Sequence, residues 1–355
     1  MKVLYDSQTF TGQRFGGISG YFNELITNSC DYFDYEVSGR VSNNIYVSSF
    51  SSMKPFFDGT QFKGKLKLMK AINRKSDKEA IEKGNYDIFH PTYYEAITYP
   101  KDKPVIITAH DFISELMEDG KDPELTEYKR SAFIRADQII CISKNTQNDL
   151  LRLFPEISET KTTLVYHGLP WEVKAPLSTD RSYLLFTGTR GTYKNFQRFV
   201  KAIASLLETY DLNLLCTGHD FNDEELKLFE TLHISERVTH YFARNEAELQ
   251  ELYQKALLFI FPSVYEGFGF PILEAFASSC PVILSNTSCF PEIAGDAGIY
   301  FDPYQEDAIY EAVKHALDHS SLREEQIQKG KERLKDFTVD RMVGKTAEVY
   351  RSVCE

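Results

Sequence analysis

Short apolar runs alternate with longer stretches of helical periodicity along the 355 residues of the chain. Parallel strands need a crossover between them, usually a helix, so this alternation predicts an α/β architecture with parallel sheets. In the first half, the predicted strands are 3–5, 45–47, 88–89, 105–108, 138–142 and 163–166. In the second half, they are 183–187, 213–217, 238–242, 257–261 and 281–284.

Apolar residues at helical spacing and one proline-containing segment indicate how the chain is divided into domains. Apolar spacing predicts helices at 18–29, 199–207 and 246–255. Residues 170–180 combine two prolines with mixed polarity, which is typical of an inter-domain linker. We therefore expect two doubly wound, Rossmann-like domains, 1–170 and 171–336, followed by a last helical segment at 337–355. Ligands of such sheets bind at the carboxyl ends of the strands.

Composition and charge narrow the classes of function. The chain has 40 Lys and Arg against 52 Asp and Glu, and its formal net charge of −12 argues against general nucleic-acid binding. The six cysteines form no CxxC pair and no zinc-type spacing, so we expect free thiols, a reducing cytosol and no bound metal. The N-terminus is too short and polar for a signal peptide, and no apolar run reaches the roughly 18–20 residues of a membrane span. These features favour a cytoplasmic protein.

Two carboxylates eight residues apart, Glu266 and Glu274, mark the most informative stretch of the chain. The stretch 261–274 reads Phe-Pro-Ser-Val-Tyr-Glu-Gly-Phe-Gly-Phe-Pro-Ile-Leu-Glu, and an apolar run at 256–261 predicts a buried strand before it. Pro271 suits the start of a helix, where backbone N–H groups attract phosphate. We predict one carboxylate in the loop and the other in the first turn of the helix. This arrangement suits a ligand with hydroxyls and phosphate, and a capped helix with two solvated glutamates is the alternative.

This stretch and the sequence after it resemble the family 4 retaining glycosyltransferases, which have the GT-B fold. The similarity continues through Cys280-Pro-Val-Ile, Phe290-Pro-Glu-Ile and Ala297-Gly-Ile-Tyr-Phe-Asp-Pro303, and more weakly across the whole chain. The resemblance implies two Rossmann-like domains that face each other across a cleft, with 1–170 on the acceptor side and 171–336 binding the nucleotide sugar. It also implies that the last helix, within 337–355, packs back on the first domain.

The resemblance assigns roles to individual residues of the two-carboxylate stretch. It places Glu266 against the donor sugar, as a catalytic residue, and Glu274 against the ribose of the donor. The loop formed by Gly267, Phe268 and Gly269 would approach the donor closely, since glycine permits sharp turns and near contact.

Two cations follow the first predicted strand of the second domain, in Thr187-Gly-Thr-Arg-Gly-Thr-Tyr-Lys-Asn195. An arginine can hold two phosphate oxygens at once, whereas a lysine acts as a point charge. Relatives place an arginine and a lysine here against the donor diphosphate, which would assign this role to Arg190 and Lys194. In many relatives the arginine directly follows the first glycine, but here Thr189 intervenes. Two solvated loop cations are the alternative.

A glycine-rich loop and a His-Asp pair are the candidate features of the first domain. Gly16 and Gly17 match the family's first loop, whose backbone approaches the donor sugar or phosphate, although the GxGxxG spacing of a dinucleotide site is absent. His110 and Asp111 end a predicted strand and resemble the family's His-Asp step, which places His110 near the reacting sugar as a catalytic residue. A structural histidine is the alternative. His90 ends another predicted strand and is a lower-ranked candidate to line the binding site of the acceptor, the molecule that would receive the sugar.

Two further segments have candidate binding roles. Phe242, Ala243 and Arg244 lie where relatives hold the nucleobase, mostly through backbone groups. Residues 62–75 are basic and partly apolar, which suits a peripheral contact with an anionic membrane surface. A solvated helix with snorkelling lysines is the alternative.

The resemblance implies a retaining, metal-independent hexosyltransferase that uses a nucleoside-diphosphate sugar. We favour a UDP-hexose over GDP-mannose as donor, expect no separate cofactor, and expect a glycan or lipid-linked glycan acceptor in cell-surface polysaccharide synthesis. A sugar-nucleotide epimerase or hydrolase on the same fold and a non-catalytic sugar-nucleotide sensor are the alternatives. A Rossmann oxidoreductase is a further alternative, against which the missing GxGxxG counts.

Overall fold

The computed structural model describes residues 1–95, 98–177 and 182–354, and only the backbone of Asp119. The chain forms two compact units. The first contains Met1–Leu116, Gly120–Pro170 and Phe337–Glu355, and the second contains Met117–Asp119 and Trp171–Asp336. The main division therefore falls between Pro170 and Trp171, where the sequence predicts a domain boundary. Positions 178–180 of the predicted linker lie outside the described residues.

The described part of the first unit contains six strands, all in parallel pairs. They are β1 (Lys2–Tyr5), β2 (Asp34–Val37), β3 (Ile88–His90), β4 (Ile106–Ala109), β5 (Gln138–Cys141) and β6 (Thr162–Leu164). Their order is β2-β1-β3 in one sheet and β4-β5-β6 in another, and a parallel bridge from Phe89 to Val105 connects the two. Because β1 lies between β2 and β3, the chain reverses its direction of travel across the sheet at β1.

Helices flank these strands. They are α1 (Gln8–Gly12), α2 (Gly17–Thr27), α3 (Lys65–Lys83), α4 (Ile113–Leu116), α5 (Pro123–Arg135) and α6 (Lys144–Leu153), with α14 (Val339–Ser352) at the end of the chain. Met342, Val343 and Tyr350 of α14 belong to the same buried cluster as Tyr5 and Phe22. The last helix is therefore part of the core of the first unit.

Among its described residues, the second unit has one six-stranded parallel sheet in the order β12-β11-β10-β7-β8-β9. Its strands are β7 (Tyr183–Phe186), β8 (Asn213–Thr217), β9 (Val238–Tyr241), β10 (Leu258–Phe261), β11 (Val282–Ser285) and β12 (Gly298–Phe301). Its helices are α7 (Phe196–Thr209), α8 (Asp223–Thr231), α9 (Glu246–Lys255), α10 (Phe270–Ala277), α11 (Phe290–Ala294), α12 (Glu306–Asp318) and α13 (Ser320–Arg333). The chain reverses direction between β7 and β10.

The predicted α/β architecture is confirmed, with differences at the sheet edges. The predicted strand at 45–47 is wrong, because Val47–Ser49 forms a short 3-10 helix. The structure adds β2 and β12, which the apolar pattern does not predict. Both are edge strands that keep partly exposed residues. In β2 these positions include Asp34 and Glu36, so this strand has no continuous apolar run.

Candidate active site

The loops that follow β7 and β10 diverge at the reversal point of the second sheet. Ligands of doubly wound sheets bind at such points, beyond the carboxyl ends of the strands. Lys194 lies in the first of these loops and Glu266 lies in the second. The fold thus brings together two residues that are 72 positions apart in the sequence.

Lys194 and Glu266 form an ion pair at this point. Lys194 Nζ lies 2.6 Å from Glu266 Oε1, and each side chain is only 13% exposed. The ammonium group also lies over the rings of Tyr193 and Phe261, 5.3 and 5.5 Å from their centroids. The two charges compensate each other without ligand, and both remain within reach of solvent.

The backbone around Glu266 is held in place by the residues before α11. Its N–H donates to Ser288 Oγ at 3.1 Å, and Ser288 Oγ donates to the Glu266 carbonyl at 2.7 Å. Cys289 Sγ donates to the carbonyls of Glu266 and Phe268 at 3.3 and 3.1 Å. The carbonyls of Glu266 and Phe268 therefore have internal partners, which hold the backbone that carries the Glu266 side chain.

Gly267, Phe268 and Gly269 lead directly into α10, and all three are buried. Gly269 is the residue before the helix and has a left-handed backbone, with φ of +89°. A Cβ there would lie 3.2 Å from Ile272 Cδ1 and 3.3 Å from Phe261 Cε1, so both conformation and space favour glycine. The buried side chain of Phe268 leaves only the backbone of this loop to approach a ligand.

Glu274 is the fifth residue of α10 and lies in its second turn, so the predicted position in the first turn is wrong. The helix begins at Phe270, one residue earlier than Pro271 suggests. Tyr253 on α9 donates its hydroxyl hydrogen to Glu274 Oε2 at 2.9 Å, and the same hydroxyl lies 3.1 Å from Thr187 Oγ1. Burial raises the pKa of Glu274 to about 7, against the opposing effect of the hydrogen bond from Tyr253. Sequence reasoning missed Tyr253, because a buried tyrosine in a helix looks like an ordinary core residue.

Arg190 lies in the same loop as Lys194 but contacts a different set of residues. Its Nε lies 2.7 Å from Glu225 Oε1, and both side chains are 5% exposed. Its terminal nitrogens donate to the carbonyls of Thr217, His219 and Asp220, and its guanidinium lies over the ring of Phe221. The guanidinium is thus occupied by the loop between β8 and α8. A diphosphate contact of Arg190 stays a prediction.

The predicted nucleobase loop follows β9, at the edge of the sheet and two strands from β7. Phe242 is 53% exposed, and Ala243 lies between it and Arg244. Arg244 forms an ion pair with Glu248, and its backbone N–H donates to the same carboxylate at 3.0 Å. The exposed ring and the loop backbone are available to a planar base.

His110 follows β4 in the first unit and is buried. Its backbone N–H donates to the hydroxyl of Tyr94 at 3.0 Å. Its ring stacks on His167 with centroids 6.2 Å apart and meets the edge of Tyr21 at 5.5 Å. Burial, with the nearby charge of Lys129, lowers the pKa of His110 to about 3. The imidazole is therefore neutral at physiological pH and can exchange hydrogen bonds but cannot supply a positive charge.

The two matched glycines of the first loop differ in their surroundings. Gly16 has an extended backbone, and a Cβ there would lie 2.9 Å from Gln13 Oε1. Gly17 begins α2, and a Cβ there would meet nothing within 4 Å. Packing in the ligand-free protein therefore does not require glycine at position 17. The approach of this backbone to a donor stays a prediction.

His90 is a core histidine, so its predicted place on the acceptor side is wrong. Its Nδ1 lies 2.6 Å from the hydroxyl of Tyr350, and its Nε2 lies 2.9 Å from Thr108 Oγ1. It is fully buried, and both ring nitrogens are engaged within the core. His90 connects β3 to β4 and to the last helix.

No group of three or more His, Cys, Asp or Glu in the described ranges is arranged to hold a metal ion. Of the helices that the structure describes, none has the length and apolar character needed to cross a membrane.

Two family models match the chain. The model for glycosyl transferases group 1 matches residues 170–333, and the model for Glycosyltransferase Family 4 matches residues 53–172. The first match contains the whole Lys194, Glu266 and Glu274 region.

Curated proteins and solved structures agree with these models. The chain is 30% identical over 236 residues to O-antigen chain mannosyltransferase B of Escherichia coli, covering 64% of this chain and 59% of that protein. It is 26% identical over 181 residues to O-antigen chain mannosyltransferase RfbU of Salmonella typhimurium, covering 51% of each. The chain thus spans between half and two thirds of the length of these relatives.

Two solved structures match nearly the full length. Sucrose-phosphate synthase of Thermosynechococcus elongatus is 18% identical with a TM-score of 0.78, covering 99% of this chain and 98% of that one. HepE of Anabaena, in complex with UDP and glucose, is 15% identical with a TM-score of 0.77, covering 99% of both chains. At these identities the likeness shows the fold. With the two family matches, it establishes that the chain has the GT-B fold and belongs to the group 1, family 4 glycosyltransferases.

Proposed function

We propose that the protein transfers a hexose from a nucleoside-diphosphate sugar to a hydroxyl of a glycan acceptor. The observation that carries this proposal is the Lys194–Glu266 ion pair at the reversal point of the second sheet, next to the start of α10. Glu274 lies on the same helix, with its carboxylate oriented by Tyr253. A single domain thus offers a cation, two carboxylates and a helix N-terminus to a ligand that carries phosphate and hydroxyls.

Each charged side chain has a separate proposed role. Lys194 opposes the negative charge that grows on the diphosphate as it leaves, which is where electrostatic stabilisation contributes most. Glu266 accepts hydrogen bonds from hydroxyls of the donor sugar, and Glu274 accepts them from the ribose. Binding of the donor would separate Lys194 from Glu266, because a phosphate group can take the place of the Glu266 carboxylate beside Lys194.

The assignment of the remaining predicted residues rests on the family resemblance. Neutral His110 would hydrogen-bond the reacting sugar, and the backbone at Gly16 and Gly17 would approach the donor. Arg190 would reach the diphosphate only after leaving Glu225, which makes Lys194 the stronger candidate. Retention of the anomeric configuration and independence from metal ions are parts of the same proposal.

The relatives support a hexose as the transferred group and cell-surface glycan synthesis as the setting. Two of them are named O-antigen chain mannosyltransferases, and the Anabaena neighbour holds UDP and glucose. These names point to different hexoses. UDP-hexose stays our prediction for the donor, with GDP-mannose as the competing donor.

Turnover of purified protein tests this function. UDP-glucose, UDP-galactose and GDP-mannose would each be incubated with and without glycan acceptors, in EDTA and in added magnesium or manganese. In EDTA we expect release of nucleoside diphosphate and formation of a glycosylated product. NMR of this product should show the same anomeric configuration as in the donor sugar. Conversion of the sugar nucleotide to an epimer without acceptor would instead indicate an epimerase. Release of free sugar would indicate a hydrolase, and nucleotide-sugar binding without turnover would indicate a sensor.

A matched pair of lysine variants tests the catalytic assignment. Lys194→Met should lower turnover strongly, because it removes the positive charge beside the leaving group. Lys201→Met removes an exposed lysine from α7 and should leave turnover unchanged. Equal activity of the two variants would contradict the role of Lys194, and activity that requires an added divalent ion would contradict metal independence.

We also propose a peripheral contact between the first domain and an anionic membrane at the inner face of the cell membrane. The six cations of segment 62–75 do not contribute equally to it. Lys65 is buried and donates to the carbonyls of Phe57 and Thr60 at 2.8 Å each. Lys70 and Arg74 both pair with Glu95. The contact would therefore depend on the other three cations, which are exposed: Lys63, Lys67 and Lys75.

Exposed apolar side chains accompany these lysines. Phe57, Phe62, Leu66 and Leu68 are 61%, 41%, 48% and 46% exposed. Large apolar groups beside cations can enter the boundary between headgroups and acyl chains while the cations remain at the headgroups. We call Phe57, Phe62, Leu66, Leu68 and the three exposed lysines the basic-apolar patch.

A further inference from the structure

Two residues beside the Lys194–Glu266 ion pair have a left-handed backbone, which favours glycine. Asn195 directly follows Lys194 and has φ of +58°. Ser288 contacts the backbone of Glu266 and has φ of +55°. A Cβ strains this conformation, more in serine than in asparagine, and such strain persists where the surrounding structure requires it. An interaction of each side chain must therefore offset the strain.

The hydroxyl of Ser288 binds both backbone groups of Glu266. Its oxygen accepts the Glu266 N–H at 3.1 Å, and its hydrogen goes to the Glu266 carbonyl at 2.7 Å. A hydroxyl is both a donor and an acceptor, so serine can hold the two groups at once, whereas glycine and alanine hold neither. The neighbouring Thr287 donates its hydroxyl hydrogen to the Val264 carbonyl at 3.0 Å. The turn before α11 thus holds the loop after β10 at positions 264 and 266.

The amide of Asn195 joins the loop that carries Lys194 to the segment after β12. Asn195 is buried, its Nδ2 donates to the Pro303 carbonyl at 2.7 Å, and its Oδ1 accepts from Arg198 Nη1 at 2.7 Å. The residue next to Lys194 is therefore held by a carbonyl 108 positions away in the sequence. Glycine would permit the same left-handed turn but would lose both of these bonds.

A backbone hydrogen bond connects the two loops directly. The N–H of Val264 donates to the Tyr193 carbonyl at 2.8 Å. Tyr193 precedes the lysine of the ion pair, and Val264 lies two residues before the glutamate. The backbones that carry the two charges are thus joined to each other in the middle and held from outside by Asn195 and Ser288.

We propose that Asn195 and Ser288 are positioning residues for the transfer reaction. Their side-chain hydrogen bonds set where the Lys194 ammonium and the Glu266 carboxylate start, and so where the leaving diphosphate and the donor sugar are held relative to each other. This inference rests on the proposed glycosyl transfer and adds two residues that act through the charged pair without touching the substrate.

Glycine and alanine at position 288 separate geometry from stability. Both remove the hydroxyl, so both should lower turnover by about tenfold or more, because a small misplacement of reacting groups slows a reaction strongly. Glycine relieves the left-handed strain and alanine keeps it, so Ser288→Gly should unfold at a higher temperature than Ser288→Ala. The affinity for UDP and GDP in calorimetry should stay at the wild-type value, since the proposed partner of Glu266 is the sugar.

A matched set of glycine variants completes the test. Asn195→Gly keeps the left-handed turn and should lower turnover by a similar factor. His233→Gly is the control, because His233 also has φ of +58° but is exposed after α8, outside both loops. It brings the same change in backbone freedom and should keep the turnover of the wild type. Each variant is assayed with the UDP-hexose or GDP-mannose donor and the glycan acceptor that the wild type uses.

Wild-type turnover in Ser288→Gly or in Asn195→Gly would overturn the positioning role of that residue. Turnover that follows the unfolding temperature, lower in Ser288→Ala than in Ser288→Gly, would make Ser288 a structural residue only, and so would a loss of nucleotide affinity in both. In these cases the wild type is active and the proposed function stands. A wild type that turns over none of the donors would contradict the proposed function, and the two positioning roles with it.

Discussion

At the scale of single residues, the carboxyl group of Glu274 is the most sharply defined feature of the site. Tyr253 holds it through a 2.9 Å hydrogen bond, and Thr187 lies 3.1 Å from the same hydroxyl. Residues of α9, of α10 and of the loop after β7 thus lie in one chain of contacts that orients the carboxylate. Such support is typical of a group that must meet ligand hydroxyls in a fixed direction.

Glu274→Ala should weaken the binding of free nucleoside diphosphate by about tenfold or more. The proposed partner is the ribose, and a hydrogen bond to a charged group contributes roughly 1.5–3 kcal/mol. Titration calorimetry with UDP and GDP measures this loss. Glu266→Ala is the matched control, because its proposed partner is the sugar, and it should keep nucleotide affinity while turnover falls. Unchanged affinity in Glu274→Ala would remove the ribose assignment.

Nucleotide binding should release protons near pH 7. Burial raises the pKa of Glu274 to about 7 in the ligand-free protein, so a large fraction of the group is protonated there. Ribose hydroxyls that donate to the carboxylate favour its ionised form and lower this pKa, which expels the proton. Affinity should therefore rise as the pH increases through 7 and fall as it decreases.

Calorimetry in buffers of different ionisation enthalpy counts the protons released. Glu274→Gln should abolish the release, because glutamine does not titrate. Release that persists in this variant would place the proton on another group.

At the scale of elements, one ion pair connects the loop after β7 to the start of α8. Glu225 caps α8 by accepting the N–H of Asn222 at 2.9 Å, and its other oxygen holds Arg190. Gly188 and Gly218 approach so closely that a Cβ at Gly218 would lie 2.6 Å from the Gly188 carbonyl. The loop that carries Lys194 is thus fixed at its base by Arg190.

Arg190→Ala should lower the free energy of unfolding by about 3–5 kcal/mol, because Glu225 would keep a buried charge without its partner. Denaturant unfolding measures this change. Glu225→Gln in the same chain removes the uncompensated charge and should restore part of the stability. Normal stability with nucleotide affinity reduced tenfold or more would instead support a direct diphosphate contact of Arg190.

At the scale of the whole molecule, the basic-apolar patch contrasts with a formal net charge of −12. An acidic protein is repelled by an anionic surface except where cations and apolar groups are concentrated. The patch in the first domain provides such a region, so it would orient the protein on the membrane as well as retain it.

The wild type should float with anionic liposomes and remain unbound with neutral ones. Changing Lys63, Lys67 and Lys75 to Gln should abolish flotation, and so should Phe62→Ser with Leu66→Ser. The control changes Lys101, Lys201 and Lys227, which are exposed elsewhere, to Gln and should float normally. About 1 M salt shortens the screening length to about 3 Å and should release most of the protein. If all variants float to the same extent as the wild type, segment 62–75 is an ordinary solvated helix.

The sequence by itself determined the features that are local. Buried strands such as β4 and β10 need continuous apolar runs, so the pattern predicts them and the loops that follow them. The glycines and Pro271 around α10 are equally local signals. Edge strands such as β2 leave no comparable pattern, because half-exposed positions accept polar residues.

Only the tertiary structure decided which charged residues are available to a ligand. Arg190 and Lys194 are two cations of one loop, and nothing in their local sequence separates them. Arg190 is bound by Glu225, 35 positions away, and Lys194 by Glu266, 72 positions away. The hydrogen bond from Tyr253 to Glu274 depends in the same way on two elements that are distant in the sequence. These pairings arise when the sheets pack, because burial and charge compensation are set by neighbours in space and not by neighbours along the chain.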